Sequence, residues 1–177
     1  MTERYDRTAR VLHWVLALLL LGQIIFGWWM GDVPRNTPLR GYVVNLHKSI
    51  GMLVGLLIVV RLAWRLRHAP PPWPDTMPAW QRRLAGTTHL LLYVVMLLVP
   101  LAGYVASNFS KFGVKFFNLI LLPPWGSDDK QIYTLFNQTH KVALVLLVAL
   151  LAAHVGAAFV HALRRDGVFS RIWLRPF

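Results

Sequence analysis

Between Val142 and Leu163 the chain carries no charged residue, an uninterrupted stretch of 22 positions. About 20 apolar residues are enough to cross a bilayer as one helix. Hydrocarbon offers no partner for a backbone N–H or C=O, so a single crossing segment of this kind has to be helical. Two histidines mark the stretch, His140 just before it and His154 inside it, 14 residues apart. That spacing is a rise of about 21 Å and four turns less about 40°. The two imidazoles therefore leave nearly the same face, one near each end of the hydrocarbon layer. Ionisable side chains at such depth are costly and face a bundle interior or a bound group. On this helix alone two readings stand. The pair is either a set of ligands for two stacked centres, or two polar side chains bonded to neighbouring helices.

The rest of the chain is of the same kind. Its 177 residues make one domain by length, and 56% hydrophobic content with a mean hydropathy of +0.48 is too apolar for a soluble one. There is no cysteine, which excludes disulfides, iron–sulfur clusters and any thiolate-bound metal. A net charge of +12 would suggest nucleic acid in a soluble protein, but the basic residues cluster at the ends of apolar runs, where they report topology. The first run, uncharged from Val11 through Gly31, is too long for a signal-peptide core and no small-residue cleavage site follows, so it reads as a retained helix.

Four membrane helices are expected, at about 9–30, 40–67, 80–108 and 139–163, forming an all-α integral membrane four-helix bundle over 1–177. Helix one carries His13 and ends in Trp28-Trp29. Helix two carries His47 and Lys48 near its start, the pair Gly51 and Gly55, which admits a neighbouring helix or a flat ligand, and Arg61, Arg65 and Arg67 at its far end. Helix three carries His89, with Pro100 and Gly103 suggesting a kink. The stretch 107–139 is too long for a plain connector. Its front half interleaves Lys111 and Lys115 with Phe109, Phe112, Phe116, Phe117 and Leu119, which suits a short amphipathic segment on the membrane surface. Ser127 or Asp128 is placed to cap a further helix leading into helix four. The tail from Arg164 is basic, contains Trp173 and reads as interfacial. Lys and Arg near the helix ends number eleven on the side of the termini and five on the other, so both termini are expected in the cytoplasm.

With that orientation the histidines fall at matching depths. His13 and His154 lie near the inner face, as do His89 and His161; His47 and His140 lie near the outer face. Bundles hold haem between facing helices, and a haem with two axial imidazoles needs one histidine from each of two helices at equal depth. His13 with His154 and His47 with His140 meet that need, giving two b haems that transfer electrons rather than bind oxygen. A closed zinc site fits less well, since it needs about four ligands in one place.

The segments ARVLHW, NLHKSIGMLVGLLIVVRLAWR and a fourth helix with histidines 14 apart resemble the prokaryotic cytochrome b561 family over essentially the whole chain. The arrangement is also similar to the cytochrome b subunits of membrane hydrogenases and formate dehydrogenases. The resemblance implies a multi-pass protein of the bacterial inner membrane, with His13 and His154 on the inner haem and His47 and His140 on the outer. A characterised family member oxidises periplasmic superoxide and reduces ubiquinone, and the resemblance implies that activity here.

Several residues suit it. Lys111 and Lys115 belong to an outer face of net charge +4 that steers superoxide, or they are ordinary interfacial cations. Lys48 and Lys141 each follow a proposed outer ligand and are placed for haem propionates. Arg61 and Arg65 are placed for those of the inner haem, or they snorkel. His89 and His161 are candidates for binding and protonating quinone, or for plain hydrogen bonds within the bundle. The partners expected are the lipid bilayer, a quinone, and superoxide or a periplasmic redox protein, with no nucleic acid. The alternative function is an electron-transfer subunit docked to a periplasmic dehydrogenase or hydrogenase. A haem-free membrane protein is the third reading.

Overall fold

A computed structural model describes residues 4–74 and 77–174. It contains α1 (Arg7–Asp32), α2 (Pro38–Arg67), α3 (Ala79–Asn108), a hairpin of β1 (Val114–Phe116) and β2 (Ile120–Leu122), α4 (Lys130–Arg164) and a closing 3-10 turn, Phe169–Arg171. All four long helices are long and apolar enough to cross a membrane. Their starts are built locally. Asp6 accepts from the Ala9 N–H at 2.9 Å. Thr37 accepts from the Arg40 N–H at 3.2 Å, just before Pro38, which occupies a first-turn position where its missing N–H costs nothing. Pro100 stands inside α3 without ending it. Leu18, Leu56, Leu101, Val145 and Phe159 project outward from the helices, an apolar girdle that only lipid solvates favourably.

Backbone-close packing is most extensive between α3 and α4, followed by α1 with α2 and α2 with α3. Between α4 and the α1–α2 pair the bundle closes through side chains at one apolar waist. There Leu16 and Leu20 of α1, Val54 and Ile58 of α2, and Ala143 and Leu147 of α4 are buried together with Leu92, Val95 and Met96 of α3. The waist separates two layers of histidines, one at the end of the bundle holding the termini and one at the end holding the hairpin.

The 107–139 region differs from the sequence expectation. Its front half is a hairpin seated on α2, with Lys115 N–H donating to Asn45 Oδ1, Phe117 N–H to Ser49 Oγ and Asn118 Nδ2 to the Tyr42 carbonyl. Gly113 leads into it at φ 55°, where a Cβ would stand 2.8 Å from the Leu122 carbonyl oxygen. Phe112 and Leu119 on its fringe are 82% and 81% exposed. The separate helix capped by Ser127 or Asp128 does not exist. Asp129 is the cap, accepting from Gln131 and Ile132 N–H at 2.8 and 3.0 Å, and the helix runs unbroken into α4. No Gly or Pro stands between Lys130 and His140 to stop it. At 35 residues, α4 is about 52 Å long, against about 30 Å of hydrocarbon, so its first turns rise beyond the lipid.

At the opposite end the tail is stitched down. Tyr5 N–H donates to the Arg171 carbonyl, Trp14 Nε1 to the Ile172 carbonyl, and Arg10 Nη1 to those of Trp173 and Leu174. Arg171, 4% exposed, donates to the Pro71 and Pro72 carbonyls and lies 5.7 and 5.6 Å from the ring centres of Tyr5 and Trp73. Both ends of the described chain thus lie at one end of the bundle.

Candidate functional site: two histidine layers

In the terminal-end layer the rings of His13 (α1) and His154 (α4) have centroids 6.3 Å apart. In the hairpin-end layer His47 (α2) and His140 (α4) are also 6.3 Å apart. A metal bound at about 2.0–2.1 Å by one nitrogen of each imidazole, with each ring centre roughly 1.2 Å further on, separates the centroids by roughly 6.4 Å. Both pairs span the α4 seam, where helix backbones do not pack closely. Among the described residues no group of three or more His, Asp or Glu is arranged for a bare metal ion, which argues against zinc. The geometry fits a planar group with two axial imidazoles per layer.

The surroundings of the hairpin-end pair fit as well. His140 Nδ1 lies 2.8 Å from the Val99 carbonyl; a carbonyl only accepts, so the proton is on Nδ1 and Nε2 keeps its lone pair for a metal. Gly103 lies under this ring, where a Cβ would sit 3.0 Å from Nδ1. Gly27 of α1 lies against His47, where a Cβ would sit 3.1 Å from Cε1. Gln23 Nε2 donates to the His47 carbonyl at 2.6 Å.

In the terminal-end pair, His13 is held by a hydrogen bond from Arg61. Arg61 Nη2 is 3.1 Å from His13 Nδ1 and Nη1 donates to Tyr93 Oη at 3.1 Å. Arg61 and Arg65 line a small cleft with Tyr5, Asp6, Ala9, His68 and Ile172 at the terminal end. His89 (α3) joins the same layer with its ring 5.4 Å from that of His154, too close for a metal between them at the spacing above. His161 stands apart from this layer's ring contacts and pairs with Asp166, Nδ1 to Oδ2 at 2.5 Å.

The proposed outer cations are scattered in role. Lys48 Nζ donates to the Gly113 carbonyl at 2.8 Å and fastens the hairpin. Lys141 and Lys115 are exposed. Lys111 is exposed too and lies 3.8 Å from Asp128. The residues that sequence reasoning passed over are Gln23, Gly27, the Val99 carbonyl, Asp166 and Arg171. Gln23 carried a signal, as the single amide in the uncharged run of α1. The others acquire their partners only in three dimensions.

The chain matches the family described as prokaryotic cytochrome b561 over residues 4–174. It is similar to cytochrome b561 homolog 1 of Escherichia coli, 27% identical over 178 residues, 98% of each chain. It is similar as well to cytochrome b561 homolog 2 of that organism, 33% identical over 60% of this chain and 56% of the relative. Cytochrome b562 of Cereibacter sphaeroides is 34% identical over 58% of this chain and 65% of the relative.

Proposed function

The chain belongs to the prokaryotic cytochrome b561 family and is therefore a membrane b-type cytochrome of electron transfer, and from that premise we propose that it binds two b haems and carries electrons from periplasmic superoxide to ubiquinone. The observation that carries the reading is the pair of 6.3 Å histidine layers on opposite sides of the apolar waist. A haem held by two imidazoles would supply single-electron transfer there.

His47 and His140 hold the outer haem, His13 and His154 the inner. The termini and their basic residues face the cytoplasm. At the outer end Lys115 and Lys111, with Lys141 and Lys130, draw superoxide in by charge; each superoxide gives up one electron and leaves as dioxygen. Lys48 keeps the hairpin over α2 and offers its remaining N–H donors to a propionate, as Lys141 does. At the inner end Arg61 and Arg65 face the propionates of the inner haem. Two electrons and two protons turn ubiquinone into ubiquinol, and His89 and His161 are the titratable groups near this end, with Asp166 fixing the His161 ring through Nδ1.

The test is the optical spectrum of the oxidised protein in detergent before and after a pulse of superoxide. A prompt shift of the Soret band to the reduced form is expected, with ubiquinone then reoxidising it. A haem spectrum that ignores superoxide yet is reduced by a periplasmic dehydrogenase would turn the reading to a docked subunit. Replacing His47 or His140 should remove one haem, and replacing His13 or His154 the other; loss of the same haem from His47→Ala and His13→Ala would overturn the pairing.

A further inference from the structure

We infer that Gln23 and Gly27 of α1 form a positioning cradle for His47, so that a helix supplying no ligand to the outer haem sets the place and electron richness of one of its ligands. The inference rests on the two-haem reading above.

Gln23 and Gly27 are four residues apart and share one face of α1. The first donates to the His47 carbonyl at 2.6 Å, and the second lets the His47 ring approach to where a Cβ would be 3.1 Å from Cε1 and 3.6 Å from Nδ1. A side chain at Gly27 requires the His47 ring to give by a few tenths of an ångström, and more for a branched one. The contact makes its own demand on α2, where a Cβ on Gly51 would meet Gln23 Nε2 at 3.3 Å. Helix α3 repeats the device for the other ligand. Val99 supplies the hydrogen-bonding group and Gly103, again four residues on, supplies the bare backbone under the His140 ring. The two helices flanking the outer pair thus each present a polar group and, one turn later, a glycine.

The cradles differ in one respect. His140 Nδ1 has its acceptor in the Val99 carbonyl, whereas His47 Nδ1 and Gln23 Oε1 are both buried without a hydrogen-bond partner. They belong to the same α1–α2 contact and are complementary. A His47 that offers Nε2 to a metal carries its proton on Nδ1 and needs an acceptor, and Gln23 Oε1 is the acceptor this contact provides. Turning the Gln23 carboxamide toward the ring would pair these two atoms in exchange for the Nε2 bond to the His47 carbonyl. The bond would push electron density into the imidazole, favour the oxidised iron and hold the outer haem's potential down.

The experiment is a redox titration with haem quantitation on the full chain in detergent. Gln23→Leu should keep both haems and move the outer midpoint upward while the inner stays put. Gly27→Val should lose one haem, the one lost in His47→Ala. Gly22→Val is the control for a bulky residue on α1, since a Cβ at Gly22 meets nothing within 4 Å, and it should keep both haems. If Gly27→Val fails to accumulate where Gly22→Val does, Gly27→Ala decides, with lowered occupancy of the outer haem alone as the expected result. Unchanged midpoints in Gln23→Leu, or outer occupancy unchanged in the Gly27 variant, would overturn the cradle. Two haems remaining in His47→Ala would instead bring down the ligand assignment beneath it, a failure distinguishable from that of the cradle.

Discussion

Arg61 carries only donors, so His13 Nδ1, 3.1 Å from its Nη2, meets it as an acceptor and holds its neutral ring's proton on Nε2. A ring that gives Nε2 to iron has its proton on Nδ1 and no longer accepts from Arg61. Placement of this guanidinium and ligation by His13 are thus linked, and the propionates offer the charge to which Arg61 can turn. On the two-haem proposal, Arg61→Gln removes a positive charge beside the haem of the His13/His154 layer. A nearby cation disfavours the oxidised iron, so the variant should lower the inner midpoint and leave the outer in place, read by redox titration. A second expectation concerns Gly103. A methyl there, 3.0 Å from His140 Nδ1, has to displace a ring fixed by the Val99 carbonyl, and Gly103→Ala should lower haem content at the outer layer only. The pairing of the four histidines was readable from their spacing and matched depth, His13 and His154 standing out within uncharged runs. The glycines and the Val99 carbonyl were not, since a backbone atom gains its meaning only from the helix that comes to rest on it.

Among the elements, the four helices were legible from their apolar lengths, to within a few residues at most ends. The expected span begins about nine residues inside α4, and the helix expected to lead into it is the first part of α4 itself, because Lys130–Gln138 has helix-forming residues and no breaker. The hairpin was illegible for another reason. Its turn, Phe117-Asn118-Leu119, holds one residue suited to a left-handed conformation, and Phe117 adopts φ 47° because its N–H is fixed by Ser49 Oγ at 2.7 Å. A bulky residue there costs roughly 1–3 kcal/mol. Phe117→Gly relieves that strain, offset by the greater freedom glycine has when unfolded, and a net gain of about 1 kcal/mol is expected in denaturant unfolding of the purified protein. At the other end, burial works to raise the Asp6 carboxyl, but the Ala9 N–H, the Trp64 indole N–H and His68 outweigh it and hold it below the ordinary carboxylate value. Its contribution to stability is therefore complete above the ordinary value and is lost as pH falls through the lowered one. Asp6→Asn, which still caps, should flatten that acid-side loss in a pH series of melting temperatures.

At the scale of the molecule, charge is distributed in two ways. The terminal end is basic and internally bonded, with Arg171 and Arg10 committed to carbonyls. The hairpin end holds all five lysines of the chain, and those lysines were legible in sequence while their pairing was not. Lys111 lies 3.8 Å from Asp128, so their fields partly cancel at a distance, whereas Lys115 is exposed with no carboxylate of the described residues in ion-pair range. If this face gathers superoxide, Lys115→Gln should slow the bimolecular reduction more than Lys111→Gln, and Asp128→Asn should speed it. Steering contributes about 10- to 1000-fold when a whole charged funnel acts, so one lysine should be a change of roughly two- to fivefold in low salt. The differences should shrink as the Debye length falls from about 10 Å at 0.1 M salt to about 3 Å at 1 M. Stopped-flow reduction across that salt range separates the effect from a change in the haems, because a damaged centre stays slow at every ionic strength. Rates equal to the parent in all three variants at low salt would make these lysines membrane anchors and leave electron entry to a docked partner.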